Sequence, residues 1–157
     1  MDYHLKRADK EIKNEKIINE IIKQGKYLSL ALCNDNIPYL VTLSYGYDFE
    51  KKVFYIHSAV EGRKIEYLAK NPNVYGQIIM DGGYRYGKCS HSYRSLNFEG
   101  IYEELTETKE KIIALNCMIR KLEDDPEKVL NEQVIGKKIN ARIGMIKCIK
   151  FSAKGNY

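Results

Sequence analysis

Arg63 and Lys64 are the side chains whose type and spacing best suit chemistry in this chain. They follow Gly62 and open a short apolar pattern. Ile65, Leu68 and Ala69 recur at i, i+3 and i+4, which predicts a helix from Gly62 to about Asn71, stopped by Pro72. Ahead of it, the Val53–Ser58 run is rich in β-branched and aromatic residues and reads as a strand. Two cations therefore occupy the first turn of a helix, where the helix dipole favours acids. A helix start carries free N–H groups, and Arg and Lys beside them make a ready phosphate site. The plainer alternative is a solvated basic turn.

Other constellations lead less far. His57 and Ser58 are adjacent, but no carboxylate lies at an offset that suggests a nucleophilic triad, so no catalytic residue is assigned. Cys89 and His91 offer two metal ligands without a spaced third, and no metal site is expected. Gly82 to Cys89 approaches the P-loop pattern. However, Cys89 replaces the magnesium-binding hydroxyl, and strand rather than helix follows. A G-x-G-x-x-G dinucleotide loop is absent. The cysteines Cys33, Cys89, Cys117 and Cys148 are scattered without C-x-x-C, which argues against a disulfide framework.

The elements that must position these residues are mostly strands. Tyr27 to Cys33 alternates, Asn34-Asp35-Asn36 turns, and Tyr39 to Tyr47 continues as a second strand. Thr42 and Ser44 share one face of it. Val53 to Ser58 is the third strand, Val74 to Met80 the fourth, and Tyr93 to Leu105 the fifth. Asp81 to Ser92 reads as a Gly- and Tyr-rich connection. Arg142 to Phe151 is the sixth strand. An amphipathic helix is expected from Asp9, as cap, to Lys23, with Gly25 as its stop. Another follows Thr106 or Thr108, with Ile112, Leu115, Ile119 and Leu122 on one face, and a short one covers Glu127 to Gln133. Strands joined by hairpin-type links predict a mainly β fold, an antiparallel barrel with peripheral helices.

The 157 residues suit one domain, 1–157, with 44% hydrophobic and 30% charged residues. Neither a membrane-length apolar run nor a signal-peptide layout is present, so a cytoplasmic protein is expected. The net charge of +5 permits anionic ligands without requiring nucleic acid. The basic run Gly136 to Lys150 is either a nucleic-acid-binding strand or an edge strand guarded by lysines.

Several short motifs resemble the nitroimidazole-resistance branch of the pyridoxamine-phosphate-oxidase-like flavoproteins. They are Ile37 to Asp48, Val53 to Ala59 with Gly62-Arg63-Lys64 and Asn71-Pro72, and Tyr93 to Leu96 with Glu99-Gly100. Arg7 to Ile12, Cys89, and the helix around Glu110-Lys111 and Ala114-Leu115 fit the same order. The resemblance implies a six-stranded antiparallel split β-barrel and a homodimer with FMN between its subunits. It implies that Arg63 and Lys64 hold the FMN phosphate with help from Ser58. Val41, Thr42, Leu43 and Ser44 would run along the isoalloxazine edge, His57 and Ala59 would line the pocket, and Ser95 would contribute from the fifth strand. The activity implied is reduction of a small planar acceptor, nitroimidazoles being the acceptors that name the branch. The tail Ser152 to Tyr157 lacks the extra phosphate-binding arginines of the vitamin-pathway oxidases, so pyridoxamine phosphate oxidation is not expected. The alternative function is a non-enzymatic basic barrel that binds single-stranded nucleic acid.

Overall fold

The computed structural model describes residues 6–157. A short 3-10 turn, Ala8–Lys10, precedes α1 (Glu15–Gln24), β1 (Leu28–Asn34), β2 (Ile37–Leu43), β3 (Gly46–Asp48) and β4 (Val53–Ser58). Then come α2 (Arg63–Lys70), β5 (Asn73–Arg85), β6 (Ser90–Glu104), α3 (Thr108–Leu122), α4 (Pro126–Gln133) and β7 (Arg142–Asn156). All strands join one antiparallel sheet in the order β2-β1-β5-β6-β7-β4-β3. The sheet is rolled. Leu30 and Leu32 of β1 share a core with Phe54 and Ile56 of β4, although three strands lie between them in the hydrogen-bonded order. β2 and β3 end that order, so hydrogen bonds do not close the roll.

The mainly β fold follows the sequence reading, but seven strands replace the expected six. The extra one arises because Tyr39 to Tyr47 is not continuous. At Tyr45 the chain turns inward, and the fully buried phenol donates to Ile22 O at 2.8 Å and Gly25 O at 3.0 Å, capping the end of α1. The backbone then leaves β1 and pairs with β4 instead. Gly46 is needed there: an added Cβ would lie 2.8 Å from Met118 N.

That close approach also sets the phase of α3. Its buried residues are Ala114 and Met118, four apart, whereas Ile112 and Leu122 are exposed. The expected face holds only in part: Leu115 packs on the second core, but Ile112 and Leu122 do not, because a helix this near a strand turns small or slender residues to the contact. β4 is buried on both sides, with Phe54 and Ile56 in the main core and Val53 and Tyr55 in a second one with Ala114 and Met118. This explains its run of apolar residues without alternation.

Two further boundaries differ. Asn14, not Asp9, caps α1, accepting from Lys16 N. Asp9 instead pairs with Arg7. The segment Asp81 to Ser92, expected as a connection, is largely a continuation of the β5–β6 hairpin to Arg85 and Ser90, with an irregularity between Asp81 and Tyr84. Gly83, at φ +85°, takes the bulge, and its N–H donates to Asp81 Oδ1.

Candidate functional site

The turn from β4 into α2 builds the site's basic corner. Gly62 sits at φ +131° with nothing within 4 Å of where a Cβ would be. No side chain caps the helix it precedes. The first backbone bonds run from Ile65 N and Glu66 N to Gly62 O, so the N–H groups of Arg63 and Lys64 precede the helical ladder. Arg63 is exposed, and its guanidinium lies 5.5 Å from the centroid of the Tyr39 ring on β2. Tyr39 in turn packs on Tyr67 of α2, at 5.3 Å. The helix start is thus fastened beside β2. Lys64 is half-buried, and burial holds its ammonium below the ordinary lysine range. Neither cation has a carboxylate partner among the described residues. A partly desolvated ammonium and an unpaired guanidinium, set at free N–H groups, suit a phosphate monoester.

β2 supplies a second component. Among the described residues it pairs with β1 alone, so alternate N–H and C=O groups on its other edge have no strand partner there. Val41 and Leu43 pack inward on the core, while Thr42 faces outward, 3.4 Å from the Ser29 hydroxyl. Val41 and Leu43 can therefore meet a ligand only through backbone. Ser44 follows the strand and is half-buried. His57 is exposed and Ser58 half-buried at the end of β4, opposite Ile143 and Arg142 of β7, and Ala59 is exposed beyond them.

Ser95 lies apart. β1 and β5 separate its strand from β2, about 14 Å at ordinary strand spacing. It is 2% exposed, and its hydroxyl donates to Lys154 O at 3.5 Å. The fold brings together β2, the end of β4 and the start of α2, but not Ser95.

A cavity of about 480 Å³ shares only Thr42 with the expected residues. Lys26, Tyr27, Ser29 and Gln77 surround that threonine. Sequence reasoning missed them, although Ser29 and Gln77 are the outward polar members of alternating strands, paired in register with each other and, through Ser29, with Thr42. The basic run on β7 is not an edge: β7 lies between β6 and β4. Its cations face acids on β6, Lys147 pairing with Glu103 and Arg142 with Glu104. No group of three or more metal-ligating side chains lies among the described residues.

Residues 14–142 match the family described as pyridoxamine 5'-phosphate oxidase. The chain belongs to the pyridoxamine 5'-phosphate oxidase family. Among solved structures it is similar to a candidate 5-nitroimidazole antibiotic resistance protein from Bacteroides thetaiotaomicron. The two are 26% identical, covering 92% of this chain and 85% of the other, with a TM-score of 0.73. The fold also matches a FAD-binding protein from Mesorhizobium loti (21% identity, 92% and 96% covered, TM-score 0.66). A FAD and heme binding protein from Mycobacterium smegmatis matches too (17%, 93% and 73%, TM-score 0.76). The search of curated proteins gives no significant match. In this member of the oxidase family, the matched span contains every residue expected at the site, from Val41 to Ser95. No helix among the described residues is long and apolar enough to cross a membrane.

Proposed function

We propose that the protein is an FMN-dependent oxidoreductase that reduces a small planar acceptor, nitroimidazoles among them. The observation that carries this reading is the uncapped start of α2, where Arg63 and Lys64 lack carboxylate partners among the described residues, beside the outer edge of β2. Family membership and the flavin-binding proteins of the same fold support a flavin. One basic helix start fits one terminal phosphate, which supports FMN in this reading.

In this reading Arg63, Lys64 and the N–H groups at the α2 start hold the phosphate, with Ser58 assisting. Val41, Leu43 and Ser44 offer backbone groups along the isoalloxazine edge, and Thr42 adds a hydroxyl. His57 and Ala59 line the approach from β4. Ser95 is buried and lies apart from β2, so it does not reach this flavin within one protomer; the site is instead completed across a homodimer, with FMN between the subunits. Bound flavin supplies the redox chemistry, and the protein supplies binding, orientation and electrostatics.

The test is anaerobic turnover. Protein reconstituted with FMN, given a reduced nicotinamide donor, should reduce a 5-nitroimidazole with steady-state kinetics. Flavin that binds but is never reduced by any donor, or reduced flavin that leaves the acceptor untouched, would assign a carrier role instead.

A further inference from the structure

A second cavity, of about 430 Å³, lies between the end of α1, the β3–β4 turn and α3. None of its lining residues belongs to the flavin site described above. Its floor is apolar: Ile22 is 2% exposed and Tyr47 9%, with half-buried Cys117 beside them. Phe49 is one wall, and it also lines a neighbouring cavity of about 260 Å³, together with Ile22 and Tyr47. The wall is firmly set. Asp48 Oδ1 accepts from Glu50 N and Lys51 N, each at 2.9 Å, which fixes the turn that carries Phe49. The ring meets Tyr47 edge-on, 4.8 Å between centroids, yet remains 39% exposed.

The rim is basic. Lys23, Arg120 and Lys121 line the cavity, and no carboxylate does. Lys121 is committed to the fold: its ammonium donates to Lys23 O and Gly25 O at the end of α1 and lies 4.5 Å over the Tyr45 ring. The other two are not fully used. Arg120 engages Asn116 through Nε and Glu127 through Nη2, leaving donors on Nη1. Lys23 has no ion pair among the described residues, and its ammonium stands 5.1 Å from the Phe49 centroid.

We propose that this cavity binds a small aromatic carboxylate, with its ring against Phe49 and Tyr47 and its carboxylate at Lys23 and Arg120. The volume lies within the range of small-molecule sites. Edge-to-face aromatic packing and charge-assisted hydrogen bonds are the interactions these walls and this rim offer. The aromatic walls, Phe49 set edge-on against Tyr47, favour a compact ring system over a long acyl chain. The inference is independent of the flavin reading.

Calorimetric titration of the full chain with 2-naphthoate and with neutral 2-naphthylmethanol tests it. The acid should bind saturably at one site, at least tenfold more tightly than the alcohol. Lys23→Glu, at an exposed position, should weaken the acid tenfold or more and the alcohol less than twofold. Phe49→Ala should weaken both. Arg63→Ala should change neither, since that residue is elsewhere. Absence of saturable binding, equal affinity for acid and alcohol, or an unchanged Lys23→Glu variant would overturn the proposal. So would an equal loss in Arg63→Ala, which would put the carboxylate at the phosphate corner.

Discussion

Replacing Arg63 and Lys64 in turn by alanine distinguishes a phosphate site from a solvated helix start, and the two effects should differ in size. A charge-assisted hydrogen bond contributes about 1.5–3 kcal/mol. Arg63 is exposed, so solvent screens its contact and the lower figure applies, roughly a tenfold loss of FMN affinity. Lys64 is half-buried and has no carboxylate partner among the described residues, so its contact is less screened. About 2–3 kcal/mol, or roughly thirty- to hundredfold, is expected there. Fluorescence titration of the flavin-free protein measures both. Riboflavin, which lacks the phosphate, serves as the control and should bind the parent and both variants alike. Raising the salt should narrow the difference between parent and Arg63→Ala more than that between parent and Lys64→Ala. Variants that bind FMN as tightly as the parent, or lose riboflavin in equal measure, would refute the placement of the phosphate.

Lys64 also predicts a pH dependence. Its folded pKa is held below the ordinary 10.5, so the folded chain binds fewer protons than the unfolded chain through that window. Flavin-free protein should therefore gain stability as pH rises toward 10.5, as read by chemical denaturation, and Lys64→Met should remove this gain. A bound phosphate would raise the same pKa, so FMN affinity should fall over the window while riboflavin affinity stays level. Tyr45→Phe leaves the carbonyls of Ile22 and Gly25 without the buried phenol donor and should cost about 1–2 kcal/mol in urea unfolding. Gly76→Ala would drive a methyl group into the Phe98 ring, which stacks on Phe54 at 4.5 Å and has little room to yield; about 1–3 kcal/mol of destabilisation is expected. Light scattering of the flavin-loaded protein should give twice the chain mass.

The basic corner could be read from the sequence because every part of it is local: a strand, a glycine, two cations and a short amphipathic helix within one stretch. The break between β2 and β3 could not. Propensity runs unbroken from Tyr39 to Tyr47, and only the end of α1, more than a dozen residues earlier in the chain, draws Tyr45 inward. The phase of α3 was hidden for a similar reason. Ile112, Leu115, Ile119 and Leu122 make a valid helical stripe, but Gly46 admits the helix so closely that Ala114 and Met118 take the contact. The β7 lysines looked like guards of an edge until pairing set them opposite the acids of β6. Around Thr42, Ser29 and Gln77 acquire meaning only through strand register, which alternation alone does not supply.

Cofactor release tests most directly whether a flavin phosphate is held at the start of α2. The purified chain, reconstituted with FMN and freed of excess, should absorb near ~450 nm, as a bound flavin does. Acid release should return FMN at one molecule per chain, and the same procedure with Arg63 and Lys64 both replaced by alanine should return almost none. A colourless parent, a preference for FAD, or a doubly substituted protein that retains FMN in full would contradict the account.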